Sequence, residues 1–144
     1  MIKLKTYREY WERVAARLDS VSGVLTVSVD KDMGKAIQAL PTGSTTLFVL
    51  PPGAESLSKN SDAFRESNQC VVFVMEKYSP QRKTSFDVLE SSQKAIEDVK
   101  EQMLQDLSNG CPIMRFDVST LNTLPETEFF AGFAGWSIGF QIIT

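Results

Sequence analysis

The side chains able to do chemistry in this sequence are few and scattered. Asp30 and Asp32 flank a turn, and Glu126 and Glu128 sit close together in an extended stretch. Either pair could hold a divalent cation weakly, but a dedicated calcium loop needs more oxygen ligands at set offsets, and none follow. A glycosidase-type pair would have to be assembled from carboxylates distant in the chain. Met33-Gly34-Lys35-Ala36 contains the Gly-Lys of a phosphate loop. Ala36, however, lacks the hydroxyl that would bind magnesium, and Val29 stands where the first glycine belongs. Gly132, Gly135 and Gly139 do not have dinucleotide-loop spacing; they suit a tight turn and close packing beside Phe133 and Trp136. Cys70 and Cys111 form no CxxC and read as small buried hydrophobes in a reducing compartment. The chain has no histidine. That removes imidazole acid–base work, Ser-His-Asp and Cys-His nucleophiles, and His metal ligands. The expectation is a non-enzymatic protein with no catalytic set, cofactor or metal.

The remaining composition bounds the partners. The 144 residues suit one domain, 1–144, with enough chain to bury a core unaided. The net charge is −3 and the pI about 5.0, against the basic face expected of a nucleic-acid binder. Charge is unevenly spread: residues 1–83 hold 12 Lys/Arg and 9 Asp/Glu (+3), and residues 84–144 hold 3 and 9 (−6). A monomer with opposite poles favours head-to-tail packing. The first residues lack a signal-peptide core, and no stretch is apolar enough to span a membrane. A soluble chain made in the cytoplasm is expected.

Hydrophobic spacing then supplies the elements. Leu4, Tyr7, Tyr10/Trp11, Val14 and Leu18 make the stripe of an amphipathic helix over residues 4–20, with Gly23 placed to end it. Residues 24–29 and 45–50 read as strands, the second stopped by Pro51-Pro52-Gly53. Met33–Leu40 reads equally as a helical turn or a loop. The polar stretch 51–69 is long for a compact domain, so it is either a functional arm or holds a short helix near Asp62–Glu66. Cys70–Glu76 is apolar on both faces and belongs at the centre of a sheet. Ser92, Ile96, Val99, Met103 and Leu107 predict a long helix over 87–108, with Asp87 and Glu90 at capping-box spacing and Asn109-Gly110 as a stop. Met114, Phe116 and Val118 alternate as a strand, Ser119–Glu128 reads as a polar connection, and Trp136, Ile138, Phe140 and Ile142 share one face of a last strand.

The order predicts an α+β fold: a mostly antiparallel sheet of four to five strands, with the N-terminal helix and the long helix packed on one face. The aromatic stretch Phe129-Phe130-Ala131-Gly132-Phe133-Ala134-Gly135-Trp136 reads either as a buried hairpin or as an exposed edge that needs a neighbour. On the second reading Phe129, Phe130, Phe133 and Trp136 are interface residues. Lys59 and Arg65 in the 51–69 segment join them as cations of an assembly arm.

This order of elements resembles the tail terminator (tail completion, minor tail protein U-like) family of long-tailed bacteriophages. The resemblance is carried by the helix stripe Ser92–Leu107 and the closing Gly135-Trp136-Ser137-Ile138-Gly139-Phe140-Gln141-Ile142. It implies a small α+β subunit that forms a head-to-tail ring, a hexamer in that family. Such a ring caps the tail tube and joins it to head-connector proteins, so the mature location would be the virion tail. It carries over no catalytic residue, and the 51–69 segment departs from the pattern. The alternative from the residues is a small acidic α+β protein-binding module of adaptor or immunity type, and an enzyme or small-ligand binder stands behind both.

Overall fold

The computed structural model describes residues 1–28, 31–127 and 132–144, with the backbone alone for residues 31–33. The element order is α1 (Leu4–Arg17), β1 (Gly23–Thr26), α2 (Lys31–Gln38), β2 (Thr45–Val49), β3 (Gly53–Ser56), β4 (Glu66–Lys77), α3 (Ser85–Ser108), β5 (Asn122–Glu126) and β6 (Phe133–Ile143). A 3-10 turn over Val118–Thr120 precedes β5. The fold is α+β. Its six strands form one sheet in the order β1-β2-β4-β6-β5, with β3 added to the free half of β4.

Four pairings are antiparallel, and β1 with β2 is parallel. A parallel pair needs a crossover rather than a hairpin, and α2 supplies it. The ambiguous segment Met33–Leu40 therefore belongs to a helix. Lys77 Nζ donates to the carbonyls of Gln38 and Leu40, which would otherwise be orphaned beyond the end of α2.

Period-2 alternation sorts the strands onto two faces. Leu47, Val49, Cys70, Val72, Val74, Ile138, Phe140 and Ile142 point toward α1 and α3 and form the main core with Tyr7, Tyr10, Trp11, Val14, Ile96, Val99 and Met103. Rings link the layers: Trp11 meets Tyr10 at 5.0 Å and Phe140 at 6.2 Å, and Phe140 meets Phe116 at 5.7 Å. On the opposite face Ile37 of α2 covers only one corner, over Phe48, Phe73, Met75 and Phe133. The central position expected for Cys70–Glu76 holds, because β4 is paired on both sides.

Several boundaries differ from the sequence reading. Leu4 is 54% exposed, and α1 stops at Arg17; Gly23 opens β1 instead of ending the helix. The cap of α3 lies one turn earlier: the Thr84 hydroxyl accepts from Asp87 N–H, and the Asp87 carboxylate accepts from Thr84 N–H. Those bonds to Thr84 hold the Asp87 carboxyl below its usual range. Residues 114–118 form no strand of their own; Phe116 makes a single bridge to Ile142. Ser119–Glu128 is not all connection, since β5 lies within it.

Candidate functional site

Among the described residues the chemistry-bearing side chains do not converge. Asp30, Glu128, Phe129 and Phe130 lie outside the described residues. Among the described residues no cluster of three or more His, Cys, Asp or Glu could hold a metal. Glu126 accepts from the Ser137 hydroxyl at 2.8 Å on the sheet. Cys70 is buried, and that burial pushes its thiol up to about 11, so it stays protonated at neutral pH. Tyr7 lies beside it; burial, and next Cys70, raise its phenol well above the usual range. Buried Glu76 receives Lys83 at 3.3 Å and the Ser91 hydroxyl at 2.9 Å, which ties β4 to the start of α3.

One small cleft of about 110 Å³ joins Tyr10, Arg13, Arg17, Asp106 and Cys111. There the Tyr10 hydroxyl donates to Asp106 at 2.9 Å and Gln102 donates to the other carboxylate oxygen at 3.0 Å. Burial and that carboxylate raise the Tyr10 phenol far above its ordinary value. A tyrosine locked this way neither donates nor accepts a proton readily near neutral pH. The arrangement pins α1 to α3.

The expected aromatic interface divides. Phe133 is 2% exposed and meets Phe48 edge-on at 5.8 Å, so it is core and not interface. The physical reason is the β6 pleat, which aims Phe133 at the corner covered by α2. Trp136 is half-buried on the other face, and its Nε1 donates to the Leu89 carbonyl of α3 at 3.1 Å. That bond anchors a helix, and the buried-hairpin reading describes both residues better.

Lys59 and Arg65 do lie on a surface. The segment 51–69 is neither an irregular loop nor a helix: β3 pairs with β4 from Gly53↔Gln69 to Ser56↔Glu66, making a hairpin with its turn at residues 57–65. Pro51-Pro52 separates β3 from β2, so one extra residue bulges out before pairing with β4 resumes. Ser58 shapes the turn, donating to the Ala63 carbonyl at 2.7 Å and accepting from Arg65 N–H at 2.6 Å. Leu57 N–H closes onto the Arg65 carbonyl at 2.9 Å. Leu57 and Phe64 are 54% and 61% exposed at this tip, beside exposed Lys59, Asp62 and Arg65.

The hairpin root is held firmly. Asn68, fully buried, accepts from Ile2 N–H at 3.0 Å and donates to the Ile142 carbonyl at 2.9 Å and Thr144 Oγ1 at 3.0 Å. Glu66 and Thr144 exchange backbone bonds at 3.0 and 2.9 Å. A rigid root thus presents two large apolar side chains to solvent. Sequence reasoning named the tip's cations but missed Leu57 and Phe64; the available signal was two isolated apolar residues within a polar stretch. No family model and no curated protein matches this chain.

Proposed function

We propose that this chain is a non-enzymatic structural subunit that associates head to tail into a ring, of the kind that caps a phage or prophage tail tube. The supporting observation is the projecting hairpin: Leu57 and Phe64 are exposed together on a turn braced by Ser58 and a root fastened by Asn68. Exposed apolar side chains held rigidly lose little entropy on docking, which suits a recurring contact. Along the chain, residues 1–83 carry a balance of +3 and residues 84–144 one of −6, a division that would suit the unlike surfaces of a heterologous contact. No helix among the described residues is long and apolar enough to cross a membrane. The resemblance to tail terminators supplies the biological setting, with itself, the tail tube and head-connector proteins as partners.

The test is solution mass by light scattering after size exclusion, over a concentration series at low and moderate salt. A defined multiple of the 16.1 kDa chain is expected. A strict monomer throughout would sink the ring reading and move the same tip to an adaptor or immunity-type module that binds an unlike protein.

A further inference from the structure

The first turns of α1 lie over the carboxyl ends of the parallel pair β1 and β2. Leu4, Tyr7 and Arg8 meet the residues that close β1 and β2, from Thr26 and from Val49 onward, around a cleft of about 240 Å³. Buried Val49 and Tyr7 line it, with Pro51 beside them. Val27 and Leu50 border it too, although their side chains pack with the cluster on the opposite face. Leu4 belongs to the apolar stripe of α1 yet is 54% exposed, because β1 and β2 stop at this level and no strand continues beneath it. The cleft is smaller than the roughly 300–1,000 Å³ of a drug-sized site, so it suits one aliphatic side chain. Among the described residues no carboxylate lines it, and exposed Arg8 makes no ion pair.

The cleft opens beside a free sheet edge. β1 pairs only with β2. The Val27 N–H donates to the Val49 carbonyl at 2.8 Å, so by alternation the N–H and C=O of Val24 and Thr26 point away from β2. The other edges are guarded: β5 carries Pro125 and Glu126, and β3 carries Glu55 and follows Pro51-Pro52. β1, Gly23-Val24-Leu25-Thr26, has neither proline nor charge.

We infer that this edge and cleft together bind the carboxyl-terminal residues of a partner's extended chain, with the last, aliphatic side chain in the cleft and the terminal carboxylate on Arg8. The geometry sets the direction. The cleft lies at the carboxyl end of β1, so a chain that ends there and pairs back along Thr26 and Val24 runs parallel to β1. Backbone bonds to Val24 and Thr26 supply affinity without regard to sequence, while the cleft and Arg8 select an apolar residue that carries a carboxylate. The occupant also covers Leu4. This site is separate from the hairpin tip and stands or falls independently of the ring reading.

The test is an NMR titration of the nitrogen-15-labelled full chain with four probes: N-acetyl-leucine, N-acetyl-leucinamide, N-acetylglycine and the tripeptide acetyl-Thr-Val-Leu with a free carboxylate. N-acetyl-leucine should move the amide signals of Leu4, Arg8, Thr26 and Val27 with a Kd in the millimolar range. The leucinamide lacks the carboxylate and the glycine lacks the side chain, so each should bind about tenfold more weakly. The tripeptide should bind about tenfold more tightly than N-acetyl-leucine and slow hydrogen exchange at Val24 and Thr26. Arg8→Gln and Leu4→Glu change exposed side chains, so both should keep the wild-type urea midpoint while weakening the tripeptide about tenfold. Equal affinity for N-acetyl-leucine and the tripeptide overturns the chain-terminus reading in favour of a small acyl carboxylate. Tripeptide binding unchanged in Arg8→Gln, or no shift at these residues with any probe, overturns the site.

Discussion

Gly135 and Gly139 occupy the same strand and should respond to alanine in opposite ways. A Cβ at Gly135 would sit 2.1 Å from the Val74 carbonyl oxygen and 2.9 Å from Met75 Cα. The first contact is 0.9 Å inside the 3.0 Å that Cβ atoms do not undercut, and both obstacles are main chain. No side chain can rotate away, so relief requires β4 and β6 to part where they form the centre of the sheet. Losing one or two ladder hydrogen bonds there costs about 1 kcal/mol each, and overpacking adds about 1–3 kcal/mol. Gly135→Ala should thus destabilise by about 3 kcal/mol. Gly139→Ala meets nothing and removes unfolded-state freedom, so it should be neutral or stabilise by about 0.5–1 kcal/mol. Urea denaturation followed by tryptophan fluorescence reads both, with the m-value checking that the comparison is two-state. A Gly135→Ala midpoint within about 1 kcal/mol of wild type, or equal losses for the two variants, would refute the close-approach reasoning.

Phe133→Ala should cost about 3–5 kcal/mol in folding stability, because Phe133 fills the corner between Phe48 and α2; a loss confined to association would return it to an interface. Asn68→Ala should cost about 3 kcal/mol by leaving the Ile2 N–H and Ile142 carbonyl without their buried partner, and hydrogen exchange should quicken first at the hairpin root. At pH 8 iodoacetamide should modify half-buried Cys111 in the native protein and spare Cys70, with both reacting in denaturant; equal native rates would contradict the raised Cys70 value. Since the folded thiol titrates near 11 and an ordinary cysteine thiol near 9.0, its contribution to stability is present below pH 9 and lost as pH rises through about 11. A Cys70→Ala variant should flatten that part of the pH–stability curve.

Elements with a strong period were legible in the sequence. The α1 stripe, the long α3 stripe, the two-faced apolar run of β4 and the alternation of β6 each follow from local spacing, and burial had only to act on them. The absence of histidine and of convergent motifs was equally plain. What local pattern did not carry was pairing. The polar residues of β3 and β5 give no hydrophobic alternation; they are strands because longer strands offer them ladder partners, β3 along the polar start of β4 and β5 along the middle of β6. The same holds for α2, whose short segment is ambiguous alone and becomes a crossover once β1 and β2 lie parallel. Composition and local spacing by themselves determined an acidic α+β chain without histidine chemistry. Tertiary structure decided which apolar residues stay exposed. Phe133 and Phe64 are the same residue type, yet one is 2% and the other 61% exposed. The difference is long-range: β6 lies beneath α2, while the hairpin tip extends past every helix that could cover it.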